Sequence, residues 1–140
     1  MAQENVEIVR RIFDAFPAVQ DSLRRGDLRV GEPFAEKVEW DASELRLPDL
    51  GDGHMRGREA VRRFWVAWLA AWEDVRFDYE LHDAGDKVVA VIDQRMRGSQ
   101  IETPVIRYAH LWTFDGGEVI RWKLYMDVEA AFEAAGLKQK

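Results

Sequence analysis

Two helical stripes of apolar side chains occupy the first half of the chain. Over residues 4–16 apolar positions recur every three or four residues with charged ones between them, which predicts an amphipathic helix. A short helical segment follows through Val19 and Leu23 and is expected to stop at Gly26. The widest apolar stripe runs over residues 58–72 and predicts a third helix.

Beyond that stripe the hydrophobic period changes from 3.6 residues to two. The alternation predicts four long strands, over residues 75–82, 87–97, 103–114 and 118–126. Between them lie the turn sequences 83–86, 98–100 and 115–117, which contain Gly with Asp or Ser and are typical of hairpins. Connections this short make neighbouring strands antiparallel.

The other segments are short. Residues 38–41 are a candidate strand, residues 47–57 are rich in Gly and Asp and predict a loop, and residues 128–135 predict a last helix. Helices followed by a strand meander define an α+β fold. Long strands in a twisted sheet must coil. We therefore expect a cone-shaped, curved antiparallel sheet wrapped by N-terminal helices, with an apolar pocket inside.

Composition narrows the class of protein. A chain of 140 residues fits a single domain over 1–140, and 47% hydrophobic residues supply a core. The net charge of −6 argues against a nucleic-acid partner. The absence of Cys excludes disulfides and thiolate chemistry. No secretory leader or membrane-length apolar run occurs, so the expected location is cytoplasmic, with no membrane partner.

Alternation also predicts which side chains point inward. In the strand over residues 103–114, the aromatic set that includes Tyr108, His110 and Trp112 is assigned to the interior. In the last strand the inward set is Ile120, Trp122, Leu124 and Met126. Hairpin geometry then sets His110 opposite Trp122 or Leu124.

The strand over residues 87–97 is ambiguous. Its two alternating sets are both rich in apolar residues, one with Ile92 and Met96 and the other with Val89 and Val91. The second set shares a face with Asp93 and Arg95. The choice between them decides whether Asp93 is buried or solvated.

Several sequence segments resemble those of the SnoaL-like branch of the nuclear transport factor 2-like superfamily. They include residues 3–11, 25–28, 38–40, 57–61, 83–86, 110–117 and the ending from Tyr125 to Leu137. The resemblance covers nearly the whole chain and implies the cone-shaped α+β barrel. It leaves the function open, because this superfamily includes ketosteroid isomerases, cyclases, epoxide hydrolases, dehydratases and non-catalytic binders.

The resemblance also places candidate residues. His110 lies where ketosteroid isomerases carry the protonated Asp of their oxyanion hole, and where SnoaL-like cyclases carry a pocket His. Asp41 loosely matches the isomerase base, whereas Ile12 and Phe13 replace the isomerase Tyr. The last-strand acid of cyclases and epoxide hydrolases aligns with Leu124, which counts against both activities.

The other catalytic residues of the epoxide hydrolases are only partly matched in this chain. Asp93 aligns with a second strand acid, and this alignment favours an inward Asp93. The Arg that accompanies this acid in the hydrolases is replaced by Val91, so Arg95 would have to substitute for it.

Each candidate catalytic residue also has a structural interpretation. His110 is either an acid/base or donor group, or a core histidine bonded to Tyr108 or to backbone. Asp93 is either a buried base or a partner of Arg95 or Arg107 on a solvated face. Asp41 is either a base at the pocket mouth or a turn cap.

The candidate substrate-binding residues are mostly aromatic, and aromatic residues at helical or strand spacing are more often simply core. They are Tyr108, Trp40, Trp65, Trp112, Trp122, Leu124, Met126 and Arg95. No metal site and no cofactor is expected, because the loop with Asp49, Asp52 and His54 lacks the spacing of metal ligands.

Three functions fit these residues. The first is a cofactor-free acid/base enzyme of isomerase, dehydratase or hydratase type, acting on a small hydrophobic molecule. The second is a non-catalytic binder of such a molecule. The third is a dimerisation module. A homodimer is expected through the outer sheet face, which would carry Arg121, Lys123 and Tyr125.

Overall fold

A computed structural model describes residues 2–24, 33–45, 52–70, 72, 74–98 and 100–137. The helices are α1 (Ala2–Asp14), α2 (Phe16–Arg24), α3 (Arg58–Ala70) and α4 (Val128–Ala134), with a 3-10 turn at Ser43–Leu45. The strands are β1 (Phe34–Asp41), β2 (His54–Arg56), β3 (Asp74–Asp83), β4 (Lys87–Arg97), β5 (Ile106–Asp115) and β6 (Glu118–Tyr125). The predicted helices and the four long strands are all present.

The described strands form one sheet in the order β2-β1-β6-β5-β4-β3. Strands β3 to β6 make the predicted antiparallel meander. Strand β1 adds a parallel pairing with β6, which brings Trp40 beside Trp122. This mixed, curved sheet with its helices has the expected α+β cone architecture.

Strand β2 is an element that the sequence did not predict. The predicted loop over residues 47–57 is wrong at His54–Arg56, where β2 pairs with β1. Gly53 lets the chain return close to the 3-10 turn: its φ is 77°, and a Cβ there would lie 2.5 Å from Ser43 Cα. Three residues are too few for alternation to be seen. Residues 46–51 lie outside the described residues.

The concave face of the sheet holds the main core. Helix α1 packs on β3 and β4, and helix α3 packs on β1 and β2. Trp40 and Trp112 are almost fully buried there. Truncating a buried Trp of this kind costs roughly 3–5 kcal/mol. The aromatic residues thus hold the helices against the sheet and line the space between them.

A bulge changes the predicted alternation at the start of β6. Thr113 pairs with Arg121, but Phe114 pairs with Val119, so Ile120 is the extra residue. Val119 is therefore fully buried, whereas Ile120 is 38% exposed. The prediction that Ile120 points inward is wrong, because the bulge reverses the faces of the residues before it. Trp122 and Leu124, after the bulge, are buried as predicted.

Helix α4 covers part of the outer sheet face. Asp127 caps the helix by accepting a hydrogen bond from the backbone N–H of Glu129. Phe132 and Ala131 pack with four buried residues of the sheet, which are Val89, Val91, Ala109 and Leu111. Both apolar sets of β4 are therefore buried, one under α4. The homodimer through this face stays a prediction.

None of the described helices has the length and apolar character needed to cross a membrane.

Candidate functional site

Two cavities lie between the concave sheet face and the helices. The first has a volume of about 130 Å³ and is lined by helix residues such as Phe13 and Trp65 and by strand residues such as Phe77 and Trp112. The second has a volume of about 120 Å³. Five residues line both cavities, so the two spaces adjoin there: Trp65, Trp68, Gln94, Tyr108 and His110.

Three of the shared residues are polar and come from neighbouring strands. Tyr108 and His110 are alternate residues of β5, so they share one face. Gln94 reaches the same face from β4, where it pairs with Ile106. The Tyr108 hydroxyl donates a hydrogen bond to Gln94 Oε1. The sheet register thus gathers a polar trio, Gln94, Tyr108 and His110, at the junction of the cavities.

The imidazole of His110 is enclosed by aromatic rings. The residue is only 3% exposed. Its ring centroid lies 5.3 Å from those of Tyr108 and Trp122 and 5.4 Å from that of Trp40. The prediction that His110 points inward is confirmed, as is its position opposite Leu124.

Neither ring nitrogen of His110 has a hydrogen-bond partner among the described residues. Burial lowers the pKa of His110 from its ordinary 6.5 to about 3, because the cavity disfavours the charged ring. The imidazole is therefore neutral near pH 7. It offers one N–H donor and one nitrogen acceptor to whatever enters the cavity.

Tyr108 is protonated for the same reason. Burial raises the pKa of its phenol, so no phenolate forms near neutral pH. Its hydrogen-bond partner, Gln94, was not among the residues that the sequence pattern indicated. The signal was present, because Gln94 is the one polar member of the inward set that contains Ile92 and Met96.

The predicted aromatic residues form the walls. Trp112 and Trp122 stack with centroids 4.3 Å apart, and Trp65 lies nearly parallel to Trp122, at 9° and 5.2 Å. Trp40 and Leu124 line the second cavity. Met126 lines it too, although it is 44% exposed, so it lies at the edge of the cavity and not deep inside.

Asp41 is buried but does not line either cavity. Because Trp40 points into the core, the next residue of β1 points to the outer face. The Asp41 carboxylate accepts hydrogen bonds from Ser43 N at 3.0 Å and Ser43 Oγ at 2.6 Å. His54 Nε2 and Lys123 Nζ lie 3.6 and 3.7 Å from its other oxygen. The expected position at the pocket mouth is wrong, and the turn-cap interpretation fits.

Asp93 and Arg95 also lie on the outer face. Asp93 forms an ion pair with Arg107 at 3.3 Å, and its side chain is 38% exposed. Arg95 is exposed and pairs across the sheet with Arg76. The inward orientation favoured for Asp93 is wrong, because Gln94 and Ile92 take the concave face and alternation sends their neighbours outward. Arg95 is likewise remote from the cavities.

The site is uncharged as far as the structure describes it. No Asp, Glu, Lys or Arg is among the described residues that line the two cavities. Within those same parts of the chain, no group of three or more His, Asp or Glu side chains could hold a metal ion. The arrangement can therefore take an apolar molecule and offer its polar atoms neutral hydrogen bonds.

Comparison with known proteins gives similar folds. An NTF2-like protein of unknown function from Burkholderia pseudomallei is 18% identical with a TM-score of 0.69, covering 93% of this chain and 95% of that one. TerC co-crystallised with polyporic acid is 20% identical with a TM-score of 0.69, and the match covers 95% of this chain and 98% of TerC. A putative polyketide cyclase from Sinorhizobium meliloti is 20% identical with a TM-score of 0.60, and the match covers 84% of this chain and 93% of the cyclase. No curated protein sequence matches this chain.

Likeness at these identities concerns the fold, and it agrees with the cone-shaped α+β architecture. The family model of the SnoaL-like domain matches residues 9–122, which is most of the chain. It includes β5 and the cavity-lining residues of α3. The chain therefore belongs to the SnoaL-like domain family, within the NTF2-like superfamily.

Proposed function

We propose that this protein binds a small, largely apolar molecule in the two adjoining cavities, with the polar part of the ligand at His110. One observation carries the proposal: His110 is 3% exposed, and neither of its ring nitrogens has a partner among the described residues. A buried polar atom without a partner costs about 1–3 kcal/mol. A ligand that bonds to the ring recovers this energy.

The dimensions support a ligand of one or two rings. A cavity of roughly 150 Å³ lined by apolar side chains accommodates a benzene molecule. The two cavities here, about 130 and 120 Å³, are each close to that size and share the polar trio. One structural neighbour, TerC, was co-crystallised with polyporic acid, which pairs a protein of this fold with a small molecule.

A matched pair of probes tests the proposal. 4-Ethylacetophenone and 1,4-diethylbenzene have nearly the same shape, but only the first carries a carbonyl. We expect calorimetry to show binding of both, with the ketone favoured roughly fivefold, since a net hydrogen bond contributes about 1 kcal/mol. His110→Leu should remove the preference and retain hydrocarbon binding. Asp93→Asn, on the outer face, is the control and should change neither affinity.

Two outcomes would contradict the proposal. One is the absence of binding for both probes to the wild-type protein. The other is an undiminished ketone preference in His110→Leu, which would mean that the carbonyl bonds elsewhere.

A second candidate function is cofactor-free proton transfer of the isomerase, dehydratase or hydratase type. A specific observation favours it: the neutral imidazole carries an acceptor nitrogen that has no partner among the described residues, and its ring centroid lies 5.3 Å from that of Tyr108. In an isomerisation, that nitrogen would take a proton from the carbon next to a carbonyl and return it to another carbon. The enolate oxygen would be stabilised by neighbouring indole N–H donors. The negative enolate would also offset the burial that disfavours imidazolium.

The same ketone tests this chemistry. The methyl protons next to the carbonyl of 4-ethylacetophenone exchange in D2O when a base removes them, and proton NMR follows their loss. If the protein catalyses proton transfer, the wild-type protein accelerates the exchange. His110→Gln retains a donor but not the base, so its acceleration of the exchange rate should be at least tenfold smaller. Binding without any acceleration by wild type would leave ligand binding as the function and contradict catalysis.

A further inference from the structure

We infer that the ligand is uncharged and carries at least two hydrogen-bond acceptor oxygens, of carbonyl or ether type. This inference rests on the proposed function, because it names the class of molecule for the same cavities. It is carried by the charges and by the donor and acceptor atoms around the cavities.

Among the described residues, the charged side chains do not line the cavities. On the outer face, Arg121 and Lys123 approach Asp41, and Arg107 pairs with Asp93. By contrast, the described residues that line the cavities include no ionised side chain. A carboxylate, phosphate or ammonium group on a ligand would there lose its water without gaining an opposite charge. An ionised ligand is therefore disfavoured.

Hydrogen-bond donors outnumber acceptors at the cavities. Four indole nitrogens are buried without a partner among the described residues, those of Trp40, Trp65, Trp112 and Trp122. Indole N–H groups donate and cannot accept. Neutral His110 adds one donor and one acceptor. Acceptor atoms of a ligand can satisfy these buried donors, whereas a ligand rich in hydroxyl or amine donors meets one unpartnered acceptor among the described lining residues, a nitrogen of His110.

The donors are distributed over both cavities, which requires more than one acceptor. Trp112 and Trp122 line the first cavity, Trp40 lines the second, and Trp65 and His110 line both. A carbonyl oxygen accepts at most two hydrogen bonds, so a single carbonyl cannot satisfy the four indole donors and the His110 N–H.

A series of four probes of similar size tests this inference. They are 1,4-diethylbenzene with no carbonyl, 4-ethylacetophenone with one, 1,4-diacetylbenzene with two, and 4-acetylbenzoate, in which a carboxylate replaces the second carbonyl group. We expect calorimetric affinity to rise at least threefold with each carbonyl and to fall at least tenfold for the carboxylate relative to 4-ethylacetophenone.

A Trp→Phe substitution removes the donor and leaves a smaller aromatic ring, so its control must lose the same volume. Trp65→Phe should lower affinity for 1,4-diacetylbenzene at least threefold and leave 1,4-diethylbenzene unchanged. Trp68→Phe is the matched control, since Trp68 lines the same two cavities and its nitrogen is not among the buried unpartnered atoms of the described residues. The control should leave the selectivity intact.

The outcomes separate this inference from the proposed function. If the hydrocarbon and the monoketone bind but the diketone binds no more tightly, or if the carboxylate binds as well as the monoketone, the inference is overturned while the proposed binding stands. If none of the uncharged probes binds, both are overturned.

Discussion

Each face of the sheet buries a titratable side chain almost completely, and the surroundings of these two side chains differ. On the outer face, Asp41 is 2% exposed and its carboxylate accepts two hydrogen bonds from Ser43, with His54 and Lys123 nearby. On the concave face, His110 is 3% exposed and has no hydrogen-bond partner among the described residues. The two residues are equally buried, but only the environment of Asp41 is complete.

The pKa values reflect this difference. Burial by itself raises the pKa of Asp41, but the hydrogen bonds from Ser43 and the charges of His54 and Lys123 outweigh it and leave the pKa below its ordinary value. For His110, burial acts alone and lowers the pKa to about 3. Burial of a polar group therefore does not by itself mark a ligand site. At His110, burial without hydrogen-bond partners coincides with a position in the wall of both cavities, and this combination carries the proposal.

The largest expected effect on stability is at the outer face. Asp41→Ala removes both Ser43 hydrogen bonds and leaves the Lys123 charge without its neighbour. Because hydrogen bonds to charged groups contribute about 1.5–3 kcal/mol, we expect urea unfolding to show a loss of about 2–3 kcal/mol. Asp93→Ala, whose carboxylate is in an exposed ion pair, should lose less than about 0.5 kcal/mol. Equal losses of unfolding free energy in Asp41→Ala and Asp93→Ala would contradict the contrast between a buried, hydrogen-bonded carboxylate and an exposed one.

The next effect concerns His110 and depends on pH. Its pKa is lower in the folded state, so the unfolded chain binds the proton more readily. Stability is therefore full above about pH 6.5 and decreases as the pH falls toward 3, by about 1.4 kcal/mol per pH unit. His110→Leu lacks this loss. Between pH 6.5 and 5, the free energy of unfolding of His110→Leu should therefore rise by about 2 kcal/mol relative to that of the wild-type protein.

Urea unfolding of both proteins at several pH values measures that gain. The comparison at pH 7.5 is the control, because His110 is neutral there in both the folded and the unfolded state. A stability difference between the two proteins that does not change with pH would mean that the imidazole takes up its proton inside the fold.

The smallest of these effects tests the pair of Gln94 and Tyr108. Gln94→Leu leaves the buried Tyr108 hydroxyl without a partner, and we expect a loss of about 1 kcal/mol. The double variant with Tyr108→Phe should recover most of it, because both polar partners are then absent. Additive losses in the double variant would show that the two side chains do not bond to each other.

The long elements were predictable because their hydrophobic period is expressed over many residues. Helix α3 and strands β3 to β6 lie close to their predicted positions. Strand β2 was missed because three residues carry no period, and the parallel pairing of β1 with β6 is a contact between distant segments. The inward assignment of Ile120 failed at a bulge, which alternation alone does not reveal.

The candidate site was partly predictable. The aromatic walls and the inward position of His110 follow from alternation in β5. Asp93 was misplaced because both apolar sets of β4 are buried, one beneath α4, so hydrophobicity did not distinguish the two faces. Gln94 was overlooked because its amide is not ionisable, although a lone amide in an apolar set is a sign of an interior hydrogen bond.

An NMR titration of His110 tests the central claim most directly. Carbon and nitrogen shifts of its ring, assigned by comparison with His110→Leu, are followed from pH 8 to 5 without ligand and then with 4-ethylacetophenone. We expect no titration over this range without ligand, and a shift of the ring nitrogens when the ketone binds. A titration midpoint near 6.5, as for the unfolded chain in urea, would contradict the account, because it would place the imidazole in contact with water.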